Sequence, residues 1–162
     1  MIILMESIVL CVLFTIPIWI LRKNPIVGIH NYPTPIIERA IELGMTDETH
    51  RLRSKETIIK KILAAVIVAG ICAVIVYLVN GARSFWEGFG YTYLIWTIVD
   101  WYDAFVIDIL WFCHDKKFVL PGTEDMVDAY HDYWFHIKGS FTGMLLGLPI
   151  ALVVGAIVAL IV

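Results

Sequence analysis

Four apolar runs, each long enough to cross roughly 30 Å of hydrocarbon, constrain this chain more than any other feature. They cover residues 2–21, 62–79, 91–113 and 141–162. Only Glu6 and Pro17 interrupt the first, and the second and fourth carry no charge. The third is unusual in holding Asp100, Asp103 and Asp108. Apolar residues make up 60% of the chain and charged residues 17%, against soluble norms of roughly 45–50% and about 25%. A soluble domain of 162 residues leaves too much of its area exposed to hide that apolar content in one core. An ordinary soluble enzyme, a disordered tail and a nucleic-acid binder are therefore excluded. The expected fold is all-α: one integral membrane domain over residues 1–162, with four transmembrane helices. Loops at 22–61 and 114–140 each carry interfacial helices.

The first run does not read as a secretory signal. No basic residue precedes it, Arg22 and Lys23 follow it, and no A-x-A site is present. Loop 22–61 holds Arg22, Lys23, Arg39, Arg51, Arg53, Lys55, Lys60 and Lys61, and loop 114–140 holds Lys116, Lys117 and Lys138. The turn between the second and third runs holds only Arg83. Eleven basic residues against one place both long loops in the cytoplasm and both termini outside a cell membrane. Cys11, Cys72 and Cys113 fall in or at the edge of different runs, a pattern of apolar fillers rather than a disulfide framework.

In the first loop, Thr34 and Pro35 open a helix that Gly44 closes. Ile36, Ala40 and Leu43 share one face, with Ile37 and Ile41 beside them, which predicts a helix lying in the membrane interface. A second helix is expected from Thr46, leading into a basic stretch from Arg51 to Lys61 that can grip anionic lipid or simply obey the charge rule. Gly139, Gly143 and Gly147 form a doubled G-x-x-x-G, and Ala65, Ala69 and Ala73 form a second small-residue stripe. Such ridges let backbones approach closely, within one chain or across a homodimer.

The third run carries the chemistry. At an α-helical 100° per residue, Trp96, Asp100, Asp103, Ile107, Trp111 and His114 share a sector of roughly 80°, with Asp108 well off it. Carboxylates at mid-bilayer cost at least about 2.5–3.5 kcal/mol each. Asp100 and Asp103 are therefore candidate acid/base or cation-handling groups; the alternative is that they bond polar groups on neighbouring helices. Aromatic residues from Phe85 to Tyr102 form an interfacial belt, or walls for an organic cation. Glu6 is a weaker candidate near the outer interface.

In the second loop Pro121-Gly122 makes a turn and Thr123 caps a helix begun by Glu124-Asp125. On it Asp128, Asp132 and His136 fall at i, i+4 and i+8, with His131 close by. Together with His114 and Asp115 from the third run, these residues can hold a divalent metal, although the spacing matches neither H-E-x-x-H nor paired E-x-x-H. His30 and His50 complete the histidine set on the same side. Lys116, Lys117 and Lys138 would face a phosphate head group.

The stretch from Trp101-Tyr102-Asp103 through Cys113-His114-Asp115-Lys116-Lys117, Pro121-Gly122-Thr123-Glu124-Asp125 and Trp134-Phe135-His136-Ile137-Lys138-Gly139 resembles a group of small bacterial multi-span proteins of unassigned function. The similarity covers the C-terminal half and implies a four-span membrane protein. It carries no site roles.

Three functional readings follow. The first is a membrane-embedded enzyme, metal-assisted, acting on a lipid or other amphiphile at the cytoplasmic leaflet. In it Asp100 and Asp103 are catalytic, and His114, Asp128, His131, Asp132 and His136 are ligands. The second is a proton-coupled carrier or cation-binding protein, dimeric through one of the small-residue stripes. The third is a structural or regulatory membrane subunit whose acids lock helices together.

Overall fold

The computed structural model describes residues 2–47 and 55–162. Among these residues it is all-helical, without a strand. Helix α1 (Ile2–Leu21) is followed by a 3-10 segment (Pro25–Asn31), α2 (Thr34–Glu42) and α3 (Lys55–Leu78). Next comes α4 (Phe85–Tyr102), which runs without a break into a π-helix (Asp103–Phe112). A short 3-10 turn (Lys116–Phe118), α5 (Val127–Tyr130) and α6 (Tyr133–Ile161) complete the chain.

Among the described residues two segments, Ile2–Leu21 and Val127–Ile161, are long and apolar enough to cross a membrane, and Ala65–Leu78 of α3 is a shorter apolar stretch. At 1.5 Å per residue the 20 residues of α1 reach about 30 Å, one hydrocarbon thickness. α6 has 29 residues. It starts at Tyr133 rather than at the apolar run itself because Asp132 stands just ahead of it and accepts from the Phe135 N–H at 3.0 Å, the contact expected of an N-cap.

That cap also corrects the reading of the second loop. Residues 128, 132 and 136 do not share one helix, since α5 is only four residues long and ends before Asp132. Thr123 does not cap it either; its hydroxyl donates to the Leu120 carbonyl at 2.8 Å. In the first loop, Pro33 rather than Thr34 takes the N-cap position of α2, without a side-chain cap. The C-terminus follows expectation: Gly44 has φ +69°, and the bonds Met45 N–H to Ala40 C=O and Gly44 N–H to Ile41 C=O form a Schellman motif. Thr46 lies in a bend, and the stretch expected to hold the next helix, with His50, Arg51 and Arg53, lies outside the described residues.

The chain divides into two compact units: Met1–Leu10, Ser54–Trp101 and Ser140–Val162 in the first, Cys11–Arg53 and Tyr102–Gly139 in the second. In the first unit the small-residue stripes pack within the chain. Ala69, Ala73 and Val76 of α3 bury against Val154 and Val158 of α6. On α6, Gly143 faces Asp100, Gly147 faces Trp96 and Gly155 faces Phe85. The surface that a dimer would need at Gly143 and Gly147 is thus occupied by α4, whereas Gly139 has nothing near it.

In the second unit, Ile36 and Ala40 of α2 are fully buried with Ile29, Tyr32, Phe112, Cys113, Phe118, Leu120 and Tyr130. Ile36 and Ala40 of the expected apolar face are thus spent on a protein core, while Leu43 of that face stays exposed; a nine-residue helix needs such packing because propensity alone does not hold so short a helix.

Candidate acid–base site

The π-helix decides which side chain of the third run turns toward α6. From Asp103 onward each turn takes up one more residue than an α-turn, as the Cys113 N–H to Asp108 C=O bond shows at 3.0 Å. The α-helical stripe through Ile107, Trp111 and His114 therefore does not continue as expected. Asp108, which α-phase sets aside, is carried to His136.

His136 Nδ1 lies 2.9 Å from Asp108 Oδ2, with side-chain exposures of 3% and 29%. A carboxylate that is ionised only accepts, so Nδ1 is the donor of this bond and Asp108 orients the ring. The imidazole sits between Phe112 and Phe135, ring centroids at 5.4 and 5.2 Å. Its Nε2 is buried without a hydrogen-bond partner, at a cost of about 1–3 kcal/mol. Native proteins rarely leave such an atom unused. Asp108 also lines a cavity of about 50 Å³ together with Asn31, Tyr32, Ile107, Phe112 and Phe118.

The residues around this dyad are held firmly. Tyr32 donates to the Phe118 carbonyl at 2.8 Å and meets Phe112 edge-on at 4.8 Å. Burial, with Tyr130 beside it, pushes the Tyr32 phenol above its ordinary range, so it stays a donor. Below it a ring of bonds closes: Leu120 N–H to Tyr130 Oη at 3.0 Å, Tyr130 to Thr123 Oγ1 at 2.7 Å, and Thr123 back to the Leu120 carbonyl. Because the Thr123 proton is committed to that carbonyl, Tyr130 is the donor in the middle bond.

At the end of the π-helix, Arg22 pairs with Asp115 at 3.1 Å, and Trp111 Nε1 donates to the same carboxylate at 3.1 Å. Burial pushes the Asp115 carboxyl up, but the Lys117 backbone N–H, Trp111 and the charges of Arg22 and Lys117 outweigh it and hold the group below its ordinary value.

The expected ligand set is not assembled: among the described residues no three His, Cys, Asp or Glu side chains converge to hold a metal ion. His136 is engaged with Asp108, and Asp132 is used as a cap. His114 Nδ1 bonds the Ile109 carbonyl at 2.9 Å and His131 Nδ1 the Val127 carbonyl at 2.8 Å. Their rings meet edge-on at 5.3 Å, with Tyr133 beside both. Asp128, Lys116 and Lys117 are exposed, and the Lys138 ammonium lies 5.5 Å over the Trp134 ring.

Of the two carboxylates singled out in the third run, Asp103 is half-buried in the second unit. Asp100 belongs to the first. One of its oxygens fills the space that Gly143 leaves by lacking a side chain, and the other is buried without a partner. Trp96 Nε1 braces the same place by donating to the Gly143 carbonyl at 3.0 Å. Sequence reasoning named Asp100, Asp103 and His136 but passed over the Asp108–His136 pair; both letters were visible, and the π-register was not. Comparison of the chain with protein-family models, curated proteins and solved structures finds no match.

Proposed function

We propose that this chain is a four-span integral membrane protein whose Asp108–His136 dyad is an acid–base centre acting on a polar-headed amphiphile at the cytoplasmic leaflet. The observation that carries the reading is the buried His136, its Nδ1 oriented by Asp108 and its Nε2 left without a partner. A carboxylate that fixes the tautomer and steadies the imidazolium formed on proton uptake is the positioning logic of catalytic His–Asp pairs. His136 would take a proton from the substrate at Nε2 and return it to the leaving group; Asp108 would stay ionised throughout.

The two long apolar helices support a membrane location. Cation–aromatic pairs support the orientation. Lys23 lies 4.9 Å over Trp19, and Arg22 lies 5.7 Å over Trp111. With Lys138 over Trp134, these are amphipathic anchors suited to a head-group layer. The three cations lie in the loops that the charge asymmetry assigns to the cytoplasmic side, and Arg83, over Tyr77 at 4.2 Å, lies in the turn it assigns to the other side.

The test is to reconstitute the purified chain with polar lipids and follow lipid products by mass spectrometry. Asp108→Asn and His136→Gln are expected to lower turnover by about 10²–10⁴-fold, the usual worth of a positioned acid–base group, while the variants stay folded. Turnover equal in wild type and both variants would overturn the reading. The buried, unpartnered oxygen of Asp100 favours a second reading, a proton-coupled carrier. There Asp100→Asn would abolish proton-linked uptake into vesicles and leave lipid turnover unchanged.

A further inference from the structure

The cavity beside Asp108 has a chemistry of its own. Its ten lining residues include Asp108, Asn31 and the aromatic residues Tyr32, Phe112 and Phe118, and none of them is Lys or Arg. Asp108 gives one oxygen to His136. The half-buried Asp108 borders a cavity whose lining holds no Lys or Arg, an arrangement that a bound cation would complement. Aromatic faces add to such attraction. The volume of about 50 Å³ exceeds the roughly 10–15 Å³ that a water needs, enough to admit a small polar group. A carboxylate accepts hydrogen bonds and so favours a ligand that donates them, which a quaternary ammonium cannot do.

We infer that this cavity binds a primary ammonium group. The inference names the head-group chemistry of the proposed acid–base site and rests on that reading. Such a group is carried by a soluble amine or by an aminated lipid, and the cavity recognises what the two share.

The experiment uses the full chain in detergent micelles and follows [¹³C]methylammonium by saturation-transfer NMR, with dodecylamine as competitor. Saturable binding is expected in wild type. Asp108→Asn should weaken it about tenfold or more, the worth of a charged hydrogen bond. Gly28→Val should do the same by filling the cavity while leaving the dyad in place. Gly28 lines the cavity, and an added Cβ there would meet only Leu21 Cδ1 at 4.0 Å, so this variant is expected to fold. His136→Gln, which can still donate to Asp108, should keep binding while losing turnover.

Dodecylamine displacing methylammonium far below its own concentration would assign the site to a lipid head group; equal competition would assign it to a soluble amine, and both support the inference. No saturable binding in wild type, or binding unchanged in both Asp108→Asn and Gly28→Val, would overturn it. Dyad-dependent lipid turnover without methylammonium binding would sink the inference and leave the reading standing. Binding without turnover would do the reverse.

Discussion

Replacing Gly143 by alanine should destabilise the protein, and the same change at Gly139, four residues earlier in the same motif, should not. A Cβ at position 143 would land on Asp100, with the carboxylate carbon at 3.0 Å and one of its oxygens closer still. Asp100 would have to move, although its other oxygen is already buried without a partner. Overpacking of this kind costs about 1–3 kcal/mol. Displacing the α6 backbone also strains the Trp96 bond to the Gly143 carbonyl, worth about 1 kcal/mol more. The expected loss is about 2–4 kcal/mol. At Gly139 nothing lies within 4 Å of the added carbon, and glycine's helix penalty is removed, for a gain of about 0.5–1 kcal/mol. Reversible unfolding in mixed micelles, titrated with a denaturing detergent, measures both. If the two variants shift the midpoint equally or in the same direction, the placement of Asp100 against α6 is wrong.

Two further outcomes follow from the second unit. Asp115 is held below its ordinary value, so the stability it contributes is fully present above the unfolded carboxyl pKa of about 3.9 and disappears as pH falls through its lower folded value. Thermal melts between pH 3 and 6 should therefore show a steeper acid loss in wild type than in Asp115→Asn; identical profiles would contradict the Arg22–Asp115–Trp111 arrangement. Tyr130→Phe opens the ring through Leu120 and Thr123 and leaves a buried N–H unpaired, at about 1–3 kcal/mol. A melting temperature unchanged from wild type would show that the ring does not exist.

Much of the helical character was legible because lipid-compatible runs are long and the period of an α-helix is fixed. The small-residue ridge at Gly143 and Gly147 was equally visible, since glycine four residues apart in an apolar run has few other uses; what fills it, Trp96 and Asp100, was not. The site was harder to read for two physical reasons. An α-helix advances 100° per residue, and the π-helix from Asp103 changes that phase over the ten residues where it matters. Asp132 can sit inside a helix or cap one, and the structure uses it as a cap, which dissolves the i, i+4, i+8 stripe. The Gly44 stop needed no tertiary information, and it appears where the letters place it. Ile36 and Ala40 mark the face of α2 that is buried in protein, a neighbour the letters do not name because an apolar stripe does not say whether lipid or protein covers it.

The central claim is that Asp108 fixes the tautomer of His136. Solid-state ¹⁵N NMR of histidine-labelled chain in lipid bilayers, with His136 assigned by its loss in His136→Gln, reads this directly. At neutral pH the account predicts a protonated, strongly hydrogen-bonded Nδ1 and an unprotonated Nε2, with that preference lost in Asp108→Asn. A His136 carrying its proton on Nε2, or a spectrum indifferent to Asp108→Asn, would contradict it.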